Sequence, residues 1–155
     1  MAVMILALAL IPLLSQFYIG FQGNINAEIV TQATDLADDL IEEIKGKRFD
    51  ENEFPDEPVS LGALGTDFGE DPNNRSTFDD IDDYNNWSSK PPKTIDGIVL
   101  TDFKDFTRSV KVKYTRINNN TWEPAGASTY YKSIVVTVAH PKINNKTVET
   151  IMSHY

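Results

Sequence analysis

INAEIVTQATDLADDLIEEIKG, residues 25–46, is the stretch on which the fold turns. Ile25, Ile29, Ala33, Leu36, Leu40 and Ile44 recur at spacings of three and four, which is the period of one face of an α-helix. Glu28, Gln32, Asp35, Asp39, Glu42 and Glu43 fall on the opposite side, so the segment is amphipathic and has to lay its apolar stripe on a folded partner. Lys45, Lys47 and Arg48 suit the negative end of the helix, and Gly46 is a natural terminator.

Working back towards the N-terminus, the helical pattern meets no break but loses every charge. Residues 1–14 read MAVMILALALIPLL, and no charged side chain occurs among the first 27 residues. As one helix rising about 1.5 Å per residue they would reach about 40 Å, more than a bilayer core of about 30 Å. One helix is therefore expected from the N-terminus to about Lys45, kinked or locally melted at Pro12 and at the Gly20/Gly23 pair. A secretory signal would place a basic region before the apolar run and a small-x-small site after it, and neither stands here. An ordinary single-pass anchor with a juxtamembrane helix fits the same residues.

Working forward, residues 47–107 show no period and are rich in turn formers, which predicts a long irregular loop. Within it FDDIDDYNNW, residues 78–87, crowds Asp79, Asp80, Asp82 and Asp83 around one isoleucine. Hard oxygen ligands at this density suit calcium, with Asn85 as a fifth donor and Asn86, Glu70 and Asp71 nearby. The spacing is not that of an EF-hand loop. The alternative is a solvated acidic loop with Phe78, Tyr84 and Trp87 packed on the head.

The remainder, residues 108–155, reads as strands. Val110, Val112 and Tyr114 alternate with Lys111 and Lys113 over Arg108 to Ile117, and Tyr130 to His140 follows after a turn-rich connection from Asn118 to Gly126. Ile143 to Lys146 is expected to turn again, and Val148 to Met152 to form a short third strand. The fold class is thus α+β: a long N-terminal helix on an antiparallel sheet of three or four strands. Residues 1–24 form an apolar membrane or filament-core helix, and residues 25–155 a globular head.

FDDIDDYNNWSSKPPKTIDG, followed by TRSVKVKYTRI and YYKSIVVTVAH, resembles the head region of bacterial type IV pilin-like proteins and pseudopilins. In that family a phrase close to FDDVDDYNGW, a Pro-rich turn and two valine-rich strands occur in this order. The resemblance covers residues 76–140 and the general shape of the N-terminal helix. It implies a subunit held in the bacterial inner membrane and cleaved by a prepilin peptidase. Its N-terminal helix would then pack against other copies or related pilins, in a cell-surface filament or a periplasm-spanning secretion pseudopilus. In many pilin heads a disulfide fastens the long loop; the chain has no cysteine, and calcium would take that place here.

The chain departs from the family at its start, where a Phe-Thr-Leu-x-Glu phrase is usual and Met1 to Ile5 offer nothing similar. Either the chain is a subunit of the kind without that glutamate, or the sequence begins about ten residues inside the natural one. The early helix proline, Pro12, favours the second account.

A formal net charge of -9 opposes binding to a phosphate backbone, so nucleic acid is an unsuitable partner. His140 and His154 are the only histidines and stand in no metal-ligand spacing, and no phosphate loop or nucleophile elbow occurs. Asp80 and Asp82 spell a D-x-D without the nucleotide-binding α/β pattern that would give it meaning. Glycosylation sequons stand at Asn74, Asn86, Asn119 and Asn145. The expected function is therefore non-enzymatic: a structural filament subunit, or alternatively an anchored or secreted calcium-binding, adhesive head.

Overall fold

The computed structural model describes residues 2–50 and 62–154, with side chains from residue 10 onward in the first helix. Helix α1 (Ala2–Lys45) is followed by strands β1 (Ser88–Ser89), β2 (Thr107–Asn118), β3 (Thr121–Pro124), β4 (Tyr131–His140) and β5 (Ile143–Ser153). The sheet order is β1-β2-β4-β5, β3 pairs with β2, and every pairing is antiparallel. The fold is α+β, as the periodicities predict.

α1 runs without interruption through Pro12, Gly20 and Gly23, so the local melting expected there does not occur. One proline removes a single i→i−4 bond, and the turns on either side keep theirs. Gly46 ends the helix: its N–H reaches the carbonyls of Glu42 and Glu43 at 3.2 and 3.3 Å.

Ile29, Ala33, Leu36, Ala37, Leu40, Ile41 and Ile44 are buried, and Ile25 packs partly against them. They meet Val110 and Val112 of β2 and Ile134, Val136 and Val138 of β4, the inward half of two alternating strands. Phe78, Ile81, Tyr84 and Trp87 from the loop close the side of this core. α1 runs antiparallel to β4: its exit at Phe49 lies against Lys132 at the start of β4. Asn26 and Val30, about four to five turns before the end of α1, line a groove with Pro141 to Lys146 at the far end of the same strand.

Before this contact, the described side chains of α1 from residue 10 onward meet no other element of the head. Leu10, Ile11, Leu13, Leu14, Phe17, Tyr18, Ile19 and Phe21 are all exposed. Even so, no helix among the described residues is long and apolar enough to cross a membrane. The most apolar part of the segment, residues 1–9, lies outside the described side chains.

Two expectations about the strands are corrected. The connection Asn118 to Gly126 is itself largely strand: β3 returns along β2 through a two-residue turn, with Asn119 and Asn120 at φ 48° and 62°. Asparagine tolerates this left-handed geometry, and two in succession make the tight turn that matches strand twist. Ile143 to Lys146 is not a turn but the start of β5; the chain reverses at Pro141 and Lys142 instead. Pro141 fixes its φ and has no N–H to give the ladder, whereas Asn144 and Asn145 sit comfortably as exposed strand residues.

Leu40→Ala should lower head stability by about 2–5 kcal/mol, the usual cost of a truncated core leucine. Leu14→Ala, on the exposed part of the same helix, should leave the denaturant midpoint of the head unchanged within error. Equal losses in the two variants would show that the unpartnered segment is part of the core.

Candidate functional site

The four aspartates of residues 79–83 do not converge on one point; the chain spends them in three ways. A short 3-10 turn, Asp82–Tyr84, follows Ile81, which is fully buried and pins the segment to the core. Asp80 is buried and its Oδ1 accepts from the backbone N–H of Asp82 at 2.8 Å and of Asp83 at 3.4 Å, capping that turn. Asp83 closes the loop from the other end, its Oδ2 accepting from the N–H of Asp79 and Asp80 at 2.9 and 3.0 Å.

Asp82 points inward to the ammonium of Lys132, a fully buried residue. Lys132 Nζ also donates to the Phe49 carbonyl at 2.5 Å and to Asp50 Oδ2 at 3.4 Å. It lies 4.4 Å from the Phe49 ring centroid and 5.4 Å from that of Tyr114. One ammonium thus faces Asp50 and Asp82, with the charge of Asp80 close behind. Burial, the largest cause, pushes Asp82 up to about 7 against the opposing pull of Lys132. Burial likewise raises Asp80, against its own backbone hydrogen bonds.

Asp79, the exposed member, forms an ion pair with Arg48. Its carboxylate, that of Asp83 and that of Glu70 each bring an oxygen within 4.8 Å of the others. Of the five candidate ligands, the structure therefore gathers Asp79 and Asp83 and adds Glu70, while Asp80, Asp82 and Asn85 are engaged elsewhere. Asn85 completes the sheet: its Oδ1 accepts from the N–H of Val112 at 3.2 Å, on the edge of β2 that faces away from β4. Asp83 is pushed up to about 8, first by burial and then by its hydrogen bond with the Glu70 carboxyl. Three oxygens on two short loop segments suit calcium, which accepts irregular geometry and fills its shell with water. Arg48 already supplies part of the positive charge that an ion would bring.

A second polar network lies under the same loop. Arg75 donates to both carboxylate oxygens of Glu43 at 2.9 and 2.8 Å, Tyr84 Oη donates to Glu43 Oε1 at 2.8 Å, and Arg75 stacks on Trp87 at 4.6 Å. Burial first and Glu43 second raise the Tyr84 hydroxyl, so it stays a donor. Helical periodicity puts Glu43 on the solvent side of α1, and the structure corrects this to a half-buried tie. Amphipathic spacing cannot reveal that a loop folds back over a polar position. Lys132 and Asp50 escape sequence reading for a similar reason, because a single lysine in a valine-rich strand carries no mark of burial.

His140 packs against Phe106 at the end of β4, and its Nδ1 accepts from the N–H of Lys142 at 3.2 Å. His154 packs on Phe49 and Tyr130. Neither histidine belongs to the acidic cluster. No family model, curated protein or solved structure matched the chain in comparison.

Lys132→Met should cost about 3–5 kcal/mol by leaving buried carboxylates without their cation. The raised acids give a pH dependence of definite sign. Asp82 and Asp83 have folded values of about 7 and about 8, above the ordinary carboxylate value, so the folded state holds protons that the unfolded state releases. Their contribution is complete below about pH 4 and fades as pH rises to about 8. In chelator, the melting temperature should therefore fall from pH 5.5 to pH 8.5, and Asp83→Asn should flatten the slope. A melting temperature that rises over that interval would contradict the assignment.

Proposed function

We propose that this chain is a structural, non-enzymatic subunit of a type IV pilus-like filament, polymerising through the N-terminal part of α1. The observation that carries this reading is the run of eight large exposed apolar side chains between Leu10 and Phe21, rooted in a helix whose other half is fixed in the head. An apolar surface of that extent needs a covering partner. Ile11, Leu14, Tyr18 and Phe21 succeed one another at spacings of three, four and three, the seam along which helices pack on helices. The resemblance of the head segment to pilin-like proteins points the same way and supplies the setting: storage in the bacterial inner membrane, then a surface filament or a periplasmic pseudopilus.

In this reading the acidic turn fastens the loop, and calcium at Glu70, Asp79 and Asp83 strengthens it. The metal would displace the proton that burial favours on Asp83 and tie residues 70, 79 and 83 to one point. The net charge of -9 and the role in assembly leave nucleic acid outside the set of partners.

Removing residues 1–24 should turn an assembling protein into a soluble monomeric head that retains its strands, measured by light scattering and circular dichroism. A truncated head that still forms filaments of the same symmetry would refute the helix-core reading. If the intact chain stays monomeric yet partitions into lipid vesicles, the anchored-head alternative takes its place.

Calcium added to chelated protein should raise the melting temperature, since a ligand of the folded state stabilises it by mass action. Magnesium should substitute poorly, and Glu70→Gln or Asp79→Asn should remove the increment. Identical melting in excess calcium and in chelator would reduce the cluster to a solvated face.

A further inference from the structure

The face of the sheet turned away from α1 carries a shallow concavity of about 200 Å³. The register explains its composition. Lys113 pairs with Ser133, and Val135 pairs with Glu149, so strand alternation sends these four side chains to the same outer face. Thr115, Ser133 and Val135 contribute the floor, while Lys113, Glu149 and Trp122 of β3 stand around it. Trp122 is 45% exposed and is held by an edge contact with Tyr131 at 5.2 Å between centroids. An aromatic plate is thus kept in place with part of its surface open.

The polar groups around the plate are partly pre-oriented. Ser133 Oγ donates to Glu149 Oε1 at 2.6 Å, which fixes that carboxylate and leaves its second oxygen as an acceptor. Thr115 Oγ1 is turned to the Glu123 carbonyl at 2.8 Å. Lys113 is exposed and has no ion pair among the described residues, so its ammonium is available as a donor. The filament reading assigns none of these groups a task.

We propose that this concavity is a carbohydrate subsite for one neutral pyranose ring. The space is worth about seven waters at ~30 Å³ each, the scale of a single sugar ring. A pyranose has an apolar C–H face to lie on the indole and hydroxyls that both donate and accept, matching a carboxylate and an ammonium set on either side. A purely apolar ligand would desolvate Glu149 and Lys113 without return. A simple anion would meet Glu149, and a simple cation Lys113. The inference stands apart from polymerisation and needs only the folded head.

Saturation-transfer NMR on the full chain tests it, with methyl glycosides of glucose, galactose, mannose and N-acetylglucosamine at millimolar concentration. At least one should receive saturation, strongest at the ring protons of a single face. Trp122→Ala should abolish the transfer and Trp122→Phe should keep part of it. Glu149→Gln should weaken binding about tenfold, the loss of one charge-assisted hydrogen bond, with an unchanged circular dichroism spectrum. No transfer to any of the four glycosides overturns the proposal, and so does equal transfer in wild type and Trp122→Ala. Should Trp122→Ala fail to fold, the Glu149→Gln result decides, undiminished binding there counting against the proposal. Because the readout is independent of assembly, its failure leaves the filament reading where it stood.

Discussion

The ammonium of Lys132 stands inside the head with no exposed surface, and three separate parts of the chain are built around it. It receives Asp50 and the Phe49 carbonyl from the exit of α1, and Asp82 from the acidic turn, while its own backbone belongs to β4. A buried ion pair adds little net stability over a well-packed apolar alternative, but an unpaired buried charge costs several kcal/mol. The arrangement therefore acts through exclusion: any docking of the loop that withdraws Asp82 leaves the buried ammonium with only the longer contact to Asp50 and the Phe49 carbonyl. Once Asp82 is placed, Ile81 and Tyr84 on either side fall into the core, and Tyr84 reaches Glu43 on the helix. A loop with little regular structure acquires one position in this way, with no cysteine in the chain to fix it.

The same loop solves a second problem, the open edge of β2. Backbone groups on that side would otherwise face solvent or another chain. Trp87 and Asn86 exchange bonds with Val110, and the Asn85 side chain takes the N–H of Val112; further along, Ala125, just after β3, donates to the carbonyl of Tyr114. A side-chain amide here replaces one rung of a strand ladder. FDDIDDYNNW thus carries two functions in sequence order, with the aspartates shaping the turn and the asparagines closing the sheet.

The parts of the molecule with a period were legible from residues alone. The stripe from Ile25 to Ile44 is the face that packs, and Val110, Val112 and Tyr114 are the inward residues of β2. What escaped lay where identity and environment part company. Asn144 and Asn145 look like a turn and sit in a strand, because the neighbouring proline had already reversed the chain. Lys132 and Glu43 look like surface charges and are drawn inside by partners 50 and 32 positions away. The density of carboxylates in residues 79–83 was plain, yet its partition among a cation, two backbone caps and an exposed cluster depends on Lys132, Arg48 and Glu70, which only the tertiary structure brings to it.

The unbroken passage of α1 from exposed segment to core has a mechanical meaning. Tension applied along its N-terminal part travels down a continuous helix of 44 residues, about 66 Å long, in which Pro12 alone withholds a backbone N–H. The load enters the head along the line on which α1 lies beside β4 and antiparallel to it. Force in that direction shears the helix against the sheet and strains the rungs between β4 and its neighbours together, instead of peeling them singly. The weakest geometry, unzipping from a strand end, is thereby kept off the axis of pull. A head loaded in this manner yields by sliding its whole apolar interface at once.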